Sequence, residues 1–324
     1  MTGQWACPDA RLVLRADAPR EEWLAARTTG LGGSDASVVA GVNRWTSAYE
    51  LWLDKTGRRP GDAAQAMSEA MEWGIRLEAV IADWFVDTTG IPVRRAGLMR
   101  HRARPWQLAS VDRLTGDGGG LEVKTLSWRV ASEWDDDQVA DHAEVQAQHY
   151  MAVTGRPHWW VVGLVDGRSP QLRRVDRNPD LIATLTGMEE TFWTSHVLAD
   201  VPPPVTALAL DAVKERWSTV ELEQVDLDPD QVLPAIARMT AAKTARKAAE
   251  TEEKTAAAVI REALGPAAVG LVDGRVVATC KQVTTTRFNA AALRADHPDL
   301  AAGYTATSSY RRLHIPKETS TDGP

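Results

Sequence analysis

All thirteen tryptophans of this 324-residue chain lie between Trp5 and Trp217. Large aromatic side chains anchor cores because each removes much apolar area from water. The core is therefore expected in the part of the chain that ends near Trp217. The stretch Val201-Pro202-Pro203-Pro204-Val205 supports a boundary nearby, since proline ends a helix and holds the chain extended. The expected organisation is a main domain over 1–204 and an accessory region over 205–324. No run of about 18 apolar residues is present to span a membrane, and the N-terminus lacks the basic-then-apolar pattern of a secretory signal. Cys7 and Cys280 are the only cysteines. Alone they supply neither a four-ligand zinc or iron–sulfur site nor a disulfide framework. The expected setting is intracellular. The net charge of −7 argues against a general basic coat for DNA, but a local basic channel can sit on an acidic body.

The hydrophobic pattern is mixed. Ser34 to Val42 reads as a short helix with Ser34 or Asp35 as N-cap. Ala66 to Thr88 carries Met67, Met71, Ile75, Val80, Ile81, Trp84 and Phe85 at helical spacing. Residues 93–99 and 106–114 read as strands, as does Leu121 to Leu126 after a glycine turn. A helix is expected over Asp141–Thr154, closed by Gly155, then an interior strand over Trp159–Val165. A strand over 171–176 and a helix over Pro179–Leu198 follow. In the tail, a long helix starts at Asp228-Pro229 and ends near Leu264. A hairpin spans Val269–Val283 around Asp273-Gly274. A short helix and a basic strand with Arg311 and Arg312 are expected next, and a disordered end, KETSTDGP. The fold class is α/β, with a central mixed sheet flanked by helices and an α-rich C-terminal region bearing a β-hairpin.

The segment GGGLEVKT, Gly118–Thr125, carries the chemistry. Alternate side chains of a strand share a face, so Leu121 and Val123 point one way and Glu122 and Lys124 the other. Lysine is scarce here: residues 1–200 contain only Lys55 and Lys124. A surface ion pair is one reading of Glu122 and Lys124. The preceding strand offers another. If Thr115–Gly120 folds it back, Asp112 lands near Glu122, and two adjacent carboxylates repel unless a cation or a proton lies between them. Oxygen ligands from Asp and Glu favour Mg²⁺ or Mn²⁺. Such a site suits phosphodiester hydrolysis, with Lys124 orienting water or neutralising charge. Glu78 is either a third member or an exposed helix position. Gly74, costly inside a helix, hints at close packing beside it.

The ordered set of Glu78, Ser110-Val111-Asp112, Leu121-Glu122-Val123-Lys124 and Gln146-Ala147-Gln148 resembles the PD-(D/E)XK nuclease superfamily. It is most similar to the YqaJ-type viral recombinases, which include phage lambda exonuclease. EWLAARTTGLGGSDASVVAG, AMEWGIRLEAVIADWF and VQAQHYMAVTG extend the resemblance from about Glu22 to Val165. Ser110-Val111 departs from it, because a proline usually precedes the motif Asp.

The resemblance implies a Mg²⁺-dependent 5′→3′ exonuclease on double-stranded DNA ends, with Mn²⁺ as a possible substitute. It releases 5′-mononucleotides and leaves 3′ overhangs for a phage single-strand annealing protein, working as a homo-oligomeric ring in the bacterial cytoplasm. By position, Asp112, Glu122 and the Val123 carbonyl hold metal, and Glu78 holds or orients a second one. Lys124 serves the nucleophilic water and Gln146 supports the site, with Gln148 a lesser candidate. Arg27 and Ser34 form the DNA 5′-phosphate pocket, where a helix N-terminus favours an anion and Gly32 and Gly33 permit close approach. Without the resemblance, Ser34 is a helix cap and Arg27 a surface residue. His149, Tyr150, Trp128, Trp134 and the basic residues of the tail helix read more simply as packing or surface. The alternatives are a structure-specific or restriction-like endonuclease, and a non-catalytic DNA-end binding protein on the same fold.

Overall fold

The structure is a computed structural model that describes residues 3–59, 69–134, 138–220 and 224–315. Two compact units emerge, Met1–Trp217 and Ser218–Pro324. The first runs past the expected boundary at 204 because Ala209 and Ala212 are buried against the group that includes Tyr49, Trp52 and Phe192.

The first unit is built on a five-stranded sheet of order β2-β5-β6-β7-β8. Its strands are β2 (Val93–Arg94), β5 (Arg113–Thr115), β6 (Gly120–Leu126), β7 (His158–Val165) and β8 (Ser169–Asp176). Strands β6 and β7 pair in parallel, and every other pair in this sheet is antiparallel. A three-stranded antiparallel sheet adds β1 (Ala10–Leu14), β3 (Leu98–His101) and β4 (Leu108–Ser110). The helices are α1 (Arg20–Arg27), α2 (Gly33–Val39), α3 (Ala48–Lys55), α4 (Glu69–Thr89), α5 (Asp141–Thr154), α6 (Pro179–Phe192) and α7 (Leu210–Arg216). This is the expected α/β arrangement of a central mixed sheet flanked by helices.

Helices cover both faces of the larger sheet. Ile81 and Phe85 of α4 bury against Leu121 and Val162. From the other side, Ala143, Ala147 and Met151 of α5 bury against Trp159 and Val161. Helix α5 is also met by Ala36 of α2 and Leu185 of α6 at Val145, so it is enclosed on several sides. It ends at Gly155, whose φ of 74° is left-handed and suits a residue without Cβ.

Several expectations change. The strand expected over 106–114 breaks at Val111-Asp112. Its first half pairs with β3 in one sheet and its second half with β6 in the other. The strand expected over 93–99 breaks likewise into β2 and β3. Alternation holds from Ala109 to Asp112 and loses phase at Asp112-Arg113, but a lost phase does not by itself name the new partner. Helix α2 is capped at Gly32, not at Ser34 or Asp35. Asp35 sits one turn in and turns back to accept the Gly32 N–H at 2.8 Å. The helix from Pro179 gives way to a π-turn over Trp193–Leu198. Residues 66–68 of the expected first long helix, Met67 among them, lie outside the described residues.

The second unit holds α8 (Pro229–Leu264), the hairpin β9 (Val269–Val272) and β10 (Arg275–Thr279), α9 (Ala290–Asp296) and α10 (Pro298–Gly303). Asp228 caps α8 through the Asp230 N–H. Asp273-Gly274 turns the hairpin, both with positive φ. Arg311 and Arg312 lie in irregular chain, so the expected basic strand is not formed. Of KETSTDGP, Lys317 onward lies outside the described residues. No described residue from 218 to 315 is buried.

Candidate active site

Strand β6 does bring Glu122 and Lys124 to one face, and that face is largely covered. Glu122 is 3% exposed. Strand β6 is interior, with β5 on one side and β7 on the other, and α5 covers the face that Glu122 and Lys124 share. Lys124 Nζ donates to Glu122 Oε1 and to Gln146 Oε1, each at 2.7 Å. Gln146 Nε2 donates to the same Glu122 oxygen at 2.7 Å and to Tyr150 Oη at 2.8 Å. The Tyr150 hydroxyl then donates to the Ser110 carbonyl at 2.8 Å. One carboxylate oxygen thus carries two donors, while Glu122 Oε2 is buried without a partner.

Asp112 sits where the chain leaves β4 for β5. Its Oδ2 accepts the Val123 N–H at 2.7 Å, which fixes it beside β6. Burial, then the carboxylates of Glu122 and Glu78, push the Asp112 carboxyl well above the usual range. Burial also raises Glu122, partly offset by Lys124. A buried acid in such surroundings favours its neutral form unless positive charge is added.

Glu78 lies near enough to raise both acids, but its carboxylate is taken. It pairs with the Arg113 guanidinium, whose Nη1 also donates to the Asp112 carbonyl at 2.6 Å. Arg76 pairs with Glu72, not with Glu78. Among the described residues no group of three or more His, Cys, Asp and Glu side chains is gathered closely enough to hold a metal ion. The arrangement is a carboxylate pair, Asp112 and Glu122, with a third carboxylate held nearby by a guanidinium. The pair fits a hard divalent cation, since Glu122 Oε2 is an orphaned acceptor and both acids are disfavoured as anions. Gly74 is not forced by packing: a Cβ there would meet Thr125 Oγ1 at 3.9 Å, an ordinary contact.

Arg27 and Ser34 do come together. Arg27 Nη2 donates to Ser34 Oγ at 3.2 Å, and the guanidinium lies over the Trp23 ring, 4.9 Å from its centroid. A Cβ on Gly33 would stand 2.8 Å from Gln146 Cγ and closer still to the Tyr150 ring. Only glycine admits that approach, so the start of α2 is pressed against the residues that hold Glu122.

The lesser candidates separate cleanly. Gln148 braces the fold by donating to the Asp176 carbonyl and accepting from the Asn178 N–H. His149 is buried between Glu189 Oε1 at 2.7 Å and the Leu108 carbonyl at 2.8 Å. Trp134 is buried and Trp128 exposed; Asp135–Asp137 beside them lie outside the described residues. Sequence reasoning gave no role to Tyr150, Arg113 or Lys55. The signal for Tyr150 was its place one helical turn after Gln146. The signal for Lys55 was the rarity of lysine.

The model of the YqaJ-like viral recombinase domain matches residues 22–157. A protein of Bacillus subtilis (strain 168) called uncharacterized protein YqaJ is 31% identical over 317 residues, covering 95% of this chain and 98% of its own. The crystal structure of an alkaline exonuclease, LHK-Exo, from Laribacter hongkongensis is 26% identical, with a TM-score of 0.49 over 56% of this chain and 94% of its own. LHK-Exo in complex with dAMP is 25% identical, with a TM-score of 0.49 over 60% of this chain and 98% of its own. A relative this similar along nearly the whole of both chains settles the family: this chain belongs to the YqaJ-like viral recombinases.

Proposed function

We propose that the chain is a Mg²⁺-dependent 5′→3′ exonuclease acting on double-stranded DNA ends. It releases 5′-mononucleotides and leaves 3′ single-stranded overhangs. A phage single-strand annealing protein takes up those overhangs in homologous recombination. Mn²⁺ serves in place of Mg²⁺. A homo-oligomeric ring and the bacterial host cytoplasm belong to the same reading.

The observation that carries this reading is the half-satisfied Glu122. Lys124 and Gln146 hold Oε1, and Oε2 is buried without a donor beside Asp112. An apolar or purely structural ion pair would not need that orphan, which costs stability. Asp112, Glu122 and the Val123 carbonyl would hold a divalent cation, which would supply charge stabilisation and a water of lowered pKa. The remaining roles fall to the chain. The Val123 N–H orients Asp112, and Gln146 with Tyr150 orients Glu122. Lys124, with its ammonium already fixed, stabilises charge that develops on the scissile phosphate. Glu78 would hold or orient a second cation in competition with Arg113. At the entrance, Arg27 offers a planar fork to the terminal 5′-phosphate, and Ser34 adds a hydroxyl at the start of α2.

The test is a time course on linear duplex carrying a 5′-phosphate on one strand, with and without Mg²⁺. The phosphorylated strand is expected to disappear first, as mononucleotides, and only with metal. Loss of the other strand alone, attack from 3′ ends, or cutting of a closed circle would overturn the reading. The last result would make the protein an endonuclease.

A further inference from the structure

Lys55 is buried, with 5% of its side chain exposed, and nothing proposed above uses it. It is the last residue of α3, and its ammonium reaches two other elements. Nζ lies 2.7 Å from Asp35 Oδ2 and donates to the Arg27 carbonyl at 2.9 Å. Asp35 is itself a junction. Its Oδ2 accepts the Gly32 N–H at the start of α2, and its Oδ1 stands 3.5 Å from Arg27 Nη2. One ammonium therefore ties the end of α1, the start of α2 and the end of α3 around the pair Arg27 and Ser34.

Two cations compete for Asp35, and they are not equally placed. Lys55 makes the close contact and Arg27 the long one. A buried carboxylate draws in whatever positive charge is nearest. With Lys55 in place, Asp35 is largely neutralised, and the Arg27 guanidinium keeps donors free for another anion. Without Lys55, Asp35 would draw Arg27 into a full ion pair and withdraw it from that role. Lysine suits the position because it is a compact point charge, whereas a guanidinium is a wide planar fork.

We infer that Lys55 is a positioning residue for recognition of a terminal DNA phosphate, keeping Arg27 available by satisfying Asp35 in its place. The inference rests on the reading of Arg27 and Ser34 as the 5′-phosphate pocket. It implies that a residue outside the pocket sets how strongly the protein distinguishes a phosphorylated end from a hydroxyl end.

The experiment measures binding, in EDTA, of a labelled blunt duplex bearing either 5′-phosphates or 5′-hydroxyls. The ratio of the two affinities is the readout, so a general loss of binding cancels. Lys55→Met is expected to lower the ratio about tenfold, equivalent to about 1.4 kcal/mol, with Lys55→Arg in between. The double variant Lys55→Met with Asp35→Asn removes both the cation and the carboxylate that captures Arg27, and is expected to recover much of the ratio. It also decides the matter where Lys55→Met alone does not fold, as judged by circular dichroism. A folded Lys55→Met with the wild-type ratio overturns the inference, as does a folded double variant with no recovery. Arg27→Ala separates the two levels. If it abolishes the ratio while Lys55→Met does not, the pocket stands and the role of Lys55 falls. If Arg27→Ala leaves the ratio intact, the pocket reading itself fails.

Discussion

The first 200 residues hold two lysines, and each lies against a buried carboxylate with a different outcome. At Asp35, burial opposes the charge, but Lys55 and Arg27 outweigh it and hold the carboxyl below its ordinary value. Both oxygens have partners. At Glu122, Lys124 and Gln146 crowd one oxygen and leave the other bare, and burial raises the carboxyl. Asp112 beside it is raised further. The Asp35 cluster is complete as it stands. The Asp112–Glu122 cluster lacks positive charge. A closed polar network fixes geometry, while one short of a cation is poised to receive it.

The largest expected difference between the two clusters is in catalysis. Lys124→Ala should lower turnover about 10²–10⁴-fold, with duplex binding retained, as single-turnover rates and a binding titration would show. Its effect on stability should be smaller than that of losing a partner at Asp35, because the Lys124 side chain is 23% exposed, Gln146 stays on Glu122, and a carboxyl already raised by burial can take up a proton. At the other cluster the emphasis reverses. Asp35→Asn leaves the Lys55 ammonium buried without its counter-charge and should cost about 3–5 kcal/mol in urea unfolding. A cost there below that of Lys124→Ala would break the contrast.

The comparison sharpens when the carboxylates are neutralised without metal. An acid whose folded pKa is raised destabilises the native state above that pKa. Asp112→Asn, in EDTA at neutral pH, should therefore raise stability, on the order of 1–2 kcal/mol, whereas Asp35→Asn lowers it. Loss of stability in Asp112→Asn would show that the carboxylate is not a burden.

The smallest effect concerns His149, a fully partnered site like Asp35. Burial works against its proton, but Glu189 outweighs burial and raises the pKa. The ring nitrogens face a carboxylate and a carbonyl, partners that a doubly protonated ring satisfies. A raised folded pKa means that this contribution is present below the unfolded value near about 6.5. It is lost as pH rises through the folded value. The wild-type unfolding free energy should fall on the alkaline side with a slope below about 1.4 kcal/mol per pH unit. His149→Gln should flatten that limb.

These residues also mark how far the sequence could be read. GGGLEVKT announced itself through its glycine turn and strict alternation, and Gln146 through its place in a helix that Gly155 closes. Asp112 was legible as a candidate, but not as the point where the chain changes sheets. Alternation loses phase at Asp112-Arg113, but that does not say which strand is the new partner, and the capture of Asp112 by the Val123 N–H fixes the geometry. Glu78 was expected beside the pair and lies near enough to raise both acids, but its pairing with a guanidinium was not foreseen. Its partner Arg113 lies 35 positions away, and no periodicity links residues that distant. Lys55 stood out by rarity alone; its function depends on three helix ends meeting, which no local signal encodes. The second unit was legible as elements, since Asp228-Pro229 and Asp273-Gly274 act locally. Its basic strand was not, because Arg311 and Arg312 depend on a pairing partner for which local sequence gives no evidence.

The central claim is that Asp112 and Glu122 take up a divalent cation. Calorimetric titration of metal-free protein with Mn²⁺ tests it directly, without turnover. Wild type should bind, Asp112→Asn and Glu122→Gln should each lose that binding, and Asp35→Asn, if folded, should keep it. Wild type that takes up no Mn²⁺, or Glu122→Gln that binds it as wild type does, would contradict the account.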